Sequence, residues 1–220
     1  AALKKHPALA HDSRDVVGLM AALNVPDEHP EGRFYPDTYF FTKGTPDIKL
    51  LQQAMRKMQT TLAAEWDQRA EGLPFTQPYE ALILASIVEK ETAAPAERPK
   101  IAGVFVRRLQ TDMRLQTDPT VIYGLGEQFD GDIRRRDLEN DTPYNTYTRT
   151  GLPPTPIAMP GREAIHAALH PEPGNSLYFV AKGDGSHVFS ASLEEHQRAV
   201  ALRGQKTEDR GRRIEDGGRN

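Results

Sequence analysis

The sequence has no cysteine, which excludes disulfides, thiolate metal sites and a cysteine nucleophile. It also lacks any apolar run long enough to cross a bilayer. Positive charge is not in excess: Lys and Arg total 28 against 31 for Asp and Glu, a net charge of -3, which argues against a nucleic-acid backbone as the main partner. The chain opens at Ala1 with no basic segment and no apolar signal core, so any targeting or anchoring element is expected upstream. There is no internal repeat and no break in composition that splits the chain into independent domains. What is present is 220 residues with 38% hydrophobic content, enough for one ample core or two small ones.

Local patterning predicts a series of helices followed by one hairpin. Residues 13–23, SRDVVGLMAAL, set Val16, Val17, Met20 and Leu23 on one helical face, with Ser13 as the candidate N-cap. The following prolines and aromatics, EGRFYPDTYFFTKGT, predict extended pieces and turns packed by Phe34, Tyr35, Tyr39 and Phe40. Thr45-Pro46 offers a cap and a first-turn proline to a long amphipathic helix over 47–71. Its stripe of Ile48, Leu51, Met55, Met58, Leu62 and Trp66 reads as core rather than a ligand groove.

From Pro78 the chain is apolar on every side between Ala81 and Val88, Ser86 excepted, which implies a central helix surrounded by protein. Pro99 opens the next helix, with Ile101, Val104, Phe105 and Leu109 as its stripe and Arg107 and Arg108 complementing its dipole near the end. Asp118-Pro119 reads as cap and first-turn proline of a short helix stopped by Gly124 and Gly126. Residues 141–161 carry five prolines and two glycines and predict an irregular loop, whose aromatic and apolar content favours order. Then come a short helix over 162–169, a hairpin of SLYFVAK and HVFS around GDGS, and a capping box from Ser192 to Glu195 that opens the last helix. The fold class expected is α+β: mainly helical, with a small antiparallel hairpin and long ordered loops.

Chemistry is best sought where the central helix ends. Glu89 shares a face with Leu82, Ala85 and Ser86, and Glu91 with Leu84, Ile87 and Val88, so periodicity leaves open which carboxyl is desolvated enough to act as a general acid. Asp118 is a second carboxylate, with helix capping as its plainer role. His166 and His170 have the spacing of a helical metal pair, yet Ala167 stands where the metalloprotease pattern needs glutamate, so no metal site is expected. His187 and His196 read as structural. Gly124-Leu-Gly126 lacks the remainder of a dinucleotide motif, and Lys90 has no phosphate cradle to accompany Schiff-base chemistry. Tyr144, Asn145 and Tyr147 combine amide and aromatic groups suited to gripping sugars, or simply to packing their loop.

The strings EGRFYPDTYFF, LASIVEKET, MRLQTDPTVIYG, PYNTYTRTGLPPTPIAMPG and LYFVAKGDGSHVFS, in this order, resemble the motif series of the YceG-like family of endolytic murein transglycosylases. The resemblance covers roughly residues 25–200. It implies a catalytic region acting on peptidoglycan glycan strands at the extracytoplasmic, periplasmic face of the bacterial inner membrane, with an upstream anchor, peptidoglycan synthases as neighbours and no cofactor. Residues 1–24 would be a remnant of, or linker from, an upstream LysM-like module, 25–203 the catalytic domain, and 204–220 a disordered charged tail. By the same resemblance the first glutamate of SIVEKE, Glu89, would be the catalytic residue, with Glu91 as the alternative, and Gln116, Asp118, Asn145 and Tyr147 would line the groove. Two other readings remain: a non-catalytic wall-binding module, and a hydrolytic muramidase using Asp118 to activate water.

Overall fold

The computed structural model describes residue 3, residues 6–11 and residues 15–202. Its centre is the helix foreseen from the all-round apolar run. This element, α3 (Pro78–Glu91), has every residue from Ala81 to Val88 buried. Its start is fixed by the Glu80 carboxylate, which accepts from the backbone N–H groups of Thr76 and Gln77 at 2.6 and 3.2 Å. The single polar residue inside the run is satisfied at both ends. The Ser86 hydroxyl donates to Ile83 O at 2.7 Å and accepts from Ile157 N at 2.9 Å, so it ties the irregular loop to the core.

Four helices pack on α3: α2 (Asp47–Asp67), α4 (Arg98–Gln110), α5 (Asp118–Leu125) and α7 (Arg162–Leu169). The most extensive packing is with α7, whose inner face carries Ala164, Ala167 and Ala168, all buried, so the two helices approach closely. On α4, Gly103 lies where a side chain would collide with Glu172 O, 2.6 Å from the position of a Cβ, which lets residues 172–177 run tightly against the helix. Arg107 and Arg108 do more than complement the dipole. Arg107 Nε donates to Ser176 O at 2.8 Å and Arg108 Nε to Leu177 O at 2.7 Å, fastening the approach to the hairpin.

That hairpin pairs β3 (Tyr178–Ala181) with β4 (His187–Ser190) antiparallel, Tyr178 opposite Ser190 and Ala181 opposite His187. Its turn places Gly183 and Gly185 at φ 88°, a conformation that costs glycine nothing. A second, two-residue parallel pair joins β1 (Leu9–Ala10) to β2 (Thr45–Pro46). The last helix, α8, spans residues 193–202, and Glu195 and Ser192 make the predicted reciprocal cap. The architecture is the expected α+β one; the stretch beyond residue 202, where a disordered tail is predicted, lies outside the described residues.

Several local expectations shift. Helix α1 (Val16–Ala22) is capped by Asp15, whose Oδ1 accepts from Gly18 N at 2.8 Å; Ser13 lies outside the described residues. Met20 and Leu23 are buried beside Met55 of α2, but Val16 and Val17 are 55% and 70% exposed, because only the inner edge of the helix meets α2. Pro46 itself stands at the cap of α2, which ends at Asp67, short of residue 71. Helix α5 (Asp118–Leu125) is preceded by Thr117 at the cap position, so Asp118 is its first residue and its side chain is free for other partners. Helix α6 (Arg135–Glu139) was not foreseen. Residues 141–161 are irregular and held by their own bonds: Arg149 grips Asp141 through Nε and Nη2 at 2.8 and 2.9 Å.

Candidate active site

Glu89 and Glu91 lie two residues apart on α3, about 200° around the helix, and meet different surroundings. Glu89 Oε2 accepts the Gly161 N–H at 3.0 Å, and Arg98 Nη2 stands 3.7 Å from Oε1. It thereby joins the last turn of α3 to the starts of α4 and α7. Glu91 turns the other way and lines a cavity of about 460 Å³. Its Oε1 accepts a hydrogen bond from the Thr117 hydroxyl. Burial pushes the Glu91 carboxyl above the ordinary glutamate value of 4.5; the Thr117 bond pulls it down, Asp118 pushes it up again and His187 opposes with a smaller downward pull.

The same cavity collects residues from five segments. Gln116 and Asp118 come from the approach to α5 and its first turn, Tyr147 from the 141–161 loop, Arg108 from α4, Tyr178 from β3, and His196 from α8. Tyr147 Oη donates to Asp118 Oδ1 at 2.5 Å; burial, aided by this carboxylate, keeps the phenol protonated far above its usual range. Gln116 sits at φ 52°, unusual for a side chain with a Cβ, and is held there by Arg108 Nη1 on its Oε1 at 3.2 Å and by its own N–H on Thr146 O at 3.1 Å. His196 stacks on Tyr178 with ring centroids 5.3 Å apart, and burial together with nearby Arg108 keeps its imidazole neutral to lower pH than usual.

Three of the four residues expected to contact sugar, Gln116, Asp118 and Tyr147, therefore share one cavity, and the glutamate they share it with is Glu91. Glu89 is not among the residues lining it. Asn145, the fourth, is not among the residues lining it. It is 1% exposed, and its amide nitrogen donates to Asp137 O, Leu138 O and Asn140 O at 3.2, 3.0 and 2.7 Å, while its Oδ1 accepts from Tyr147 N at 2.9 Å. With those bonds made, it is a staple for its loop. Thr117, Thr146 and the cavity-facing roles of Arg108 and His196 were missed. The hydroxyl of LQTDPT next to the Asp-Pro pair was the one local hint.

The helical pair His166 and His170 meets Glu65 of α2, and the donor atoms of the three lie within 4.8 Å of one another. Their arrangement does not suit one ion. The two rings stack 4.2 Å apart at 18°, so lone pairs that lie in the ring planes do not converge, and Arg162 Nε already donates to Glu65 at 2.7 Å. Burial raises the Glu65 pKa, but the hydrogen bonds from Arg162 and His166 outweigh it and hold the carboxyl below its usual value.

The raised pKa of Glu91 has a measurable cost. A carboxyl that holds its proton more tightly folded than unfolded loses stability as pH rises from 4.5 through its folded value, and the loss is complete above that value. Glu91→Gln removes the group, so the variant is expected to melt above the unsubstituted protein at pH 7. The gap should close below pH 4.5. Thermal melts across that range read both.

Residues 2–202 match the YceG-like family. The endolytic murein transglycosylase of Bacillus subtilis (strain 168) is 42% identical over 173 residues, which are 78% of this chain and 48% of that protein. The endolytic murein transglycosylase of Streptococcus pneumoniae is 33% identical over 177 residues, 78% of this chain and 32% of the relative. The chain thus spans less than half the length of these curated relatives. A crystal structure of a YceG-like protein from Listeria monocytogenes superposes with a TM-score of 0.70 at 37% identity, covering 90% of this chain and 66% of the other. With the match running through every element from α1 to α8, the chain belongs to the YceG-like family.

Proposed function

We propose that this chain is the catalytic region of an endolytic peptidoglycan lytic transglycosylase. It cuts the β-1,4 bond between N-acetylmuramic acid and N-acetylglucosamine and leaves 1,6-anhydromuramic ends, with Glu91 as acid and then base. The observation that carries the assignment to Glu91 rather than Glu89 is its position: a desolvated carboxyl at the end of a buried helix, opening on the cavity that Gln116, Asp118 and Tyr147 share. Protonated, Glu91 gives its proton to the glycosidic oxygen as the bond to muramyl C1 breaks. The carboxylate left behind takes the proton of the muramyl C6 hydroxyl, which closes on C1. Glu91 ends protonated and no water is consumed. One carboxyl suffices because the nucleophile belongs to the substrate and is held beside C1.

Such an enzyme works at the extracytoplasmic face of the inner membrane, where new strands leave peptidoglycan synthases. Among the described residues no helix is long and apolar enough to cross a membrane. Residues 25–203 would be the catalytic unit and 1–24 the lead-in from an upstream module.

Asp118 lines the same cavity, which keeps a hydrolytic muramidase in view, although Tyr147 occupies one of its oxygens. Mass spectrometry of uncrosslinked glycan strands after incubation separates the two. Anhydro-ended internal fragments are expected. Fragments heavier by one water would replace the transglycosylase with a hydrolase using Asp118 as base, and intact strands would leave only a wall-binding module.

A further inference from the structure

We propose that Thr117 is the positioning residue of the acid: its hydroxyl holds the Glu91 carboxyl at the cavity wall and favours the ionised form that must accept the second proton. The inference rests on reading Glu91 as the acid. Glu91 is the last residue of α3, where the helix ends and no following turn confines the side chain. Among the described residues, Thr117 makes its hydrogen bond, and no other side chain does.

Thr117 is itself fixed with unusual thoroughness. It is 2% exposed, at the cap position of α5, and belongs to a set of three buried threonines. Its N–H donates to Thr146 Oγ1 at 3.0 Å, Thr146 and Thr120 join hydroxyls at 2.9 Å, and Thr120 Oγ1 returns to Thr117 O at 2.8 Å. Gln116, next in sequence, is clamped in its left-handed conformation by Thr146 O and Arg108. These bonds tie the hydroxyl that meets Glu91 to the loop carrying Tyr147, so acid and groove are set by one framework. A hydroxyl chosen only for packing would need no donor aimed at a carboxyl.

The charged groups around Glu91 are Asp118 on α5, Tyr147 on the loop, His187 on β4, and Arg108 and His196 across the cavity. None of these replaces a direct donor. Losing the Thr117 hydroxyl therefore disfavours the carboxylate and raises the pKa at which the acid loses its proton.

The test is the pH profile of kcat/KM on uncrosslinked strands, which falls as Glu91 deprotonates. In Thr117→Val the falling limb should move to higher pH and the plateau drop about tenfold; Thr117→Ser should restore both. Carbon-13 NMR of labelled glutamate carboxyls, with Glu91 assigned by its absence in Glu91→Gln, should show the same upward movement, and it works even where turnover is too weak to follow. Thr117→Ala serves if the valine variant does not fold. An unmoved Glu91 titration, or a serine variant as impaired as the valine one, overturns the role of Thr117 while a dead Glu91→Gln leaves the acid assignment standing. Full activity in Glu91→Gln overturns both.

Discussion

Glu91→Gln is expected to lower kcat/KM for strand cleavage by about 10²–10⁴-fold, the range a general acid contributes, whereas Glu89→Gln should stay within a few-fold of the unsubstituted chain. The contrast follows from what each carboxyl touches. Glu91 opens on the cavity, and glutamine there keeps the shape while supplying no proton. Glu89 serves the backbone: a glutamine carbonyl can still accept the Gly161 N–H, so the change costs about 1 kcal/mol of stability and no chemistry. Product quantification by mass spectrometry over a time course reads both. The reverse result, with Glu89→Gln dead and Glu91→Gln active, would return the acid to the first glutamate of the SIVEKE string and leave the cavity without its proton donor.

The largest loss of stability is expected from Phe105→Ala. Phe105 is 1% exposed in the main core and meets the ring of Phe179 edge-on, centroids 5.7 Å apart at 84°. Truncation removes a full aromatic side chain from a site enclosed by helices that cannot collapse onto it, for about 3–5 kcal/mol. In a protein of this size that lowers Tm by roughly 10 °C. Because Phe179 also lines the cavity, the hole lies directly behind the wall formed by β3. Val16→Ala, on the exposed edge of α1, should by contrast stay within about 0.5 kcal/mol in the same urea or thermal titration.

Elements set by local pattern were legible in the sequence. The run from Ala81 to Val88 leaves a helix no polar face to show to water, and the capping box at Ser192 and the GDGS turn are local signals that nothing elsewhere overrides. Partners brought from far along the chain were not legible. Glu89 and Glu91 are equivalent by period; Gly161 and Thr117, drawn from separate loops, give them different neighbours. Asp118 before a proline looks like a cap until Tyr147 is seen to hold its carboxylate. Asn145 has the chemistry of a sugar ligand, and only the three carbonyls around it show that its donors are used up. Arg107 and Arg108 fit a helix dipole equally well as tethers, and residues 176–177 decide between these uses.

The hairpin across the cavity from Glu91 is only two strands wide. Its base is riveted to α4 by two arginines, and at its tip nothing packs where side chains of residues 183 and 185 would stand. Between base and tip the ribbon is held by Phe179 and Phe189 on the main core and by Glu97, which accepts from His187 N at 3.0 Å, so the ease of local opening is confined to the turn. The carboxyl proposed as the acid thus stands at the end of an enclosed helix and faces a wall that is pinned along its length and left unsupported at its turn.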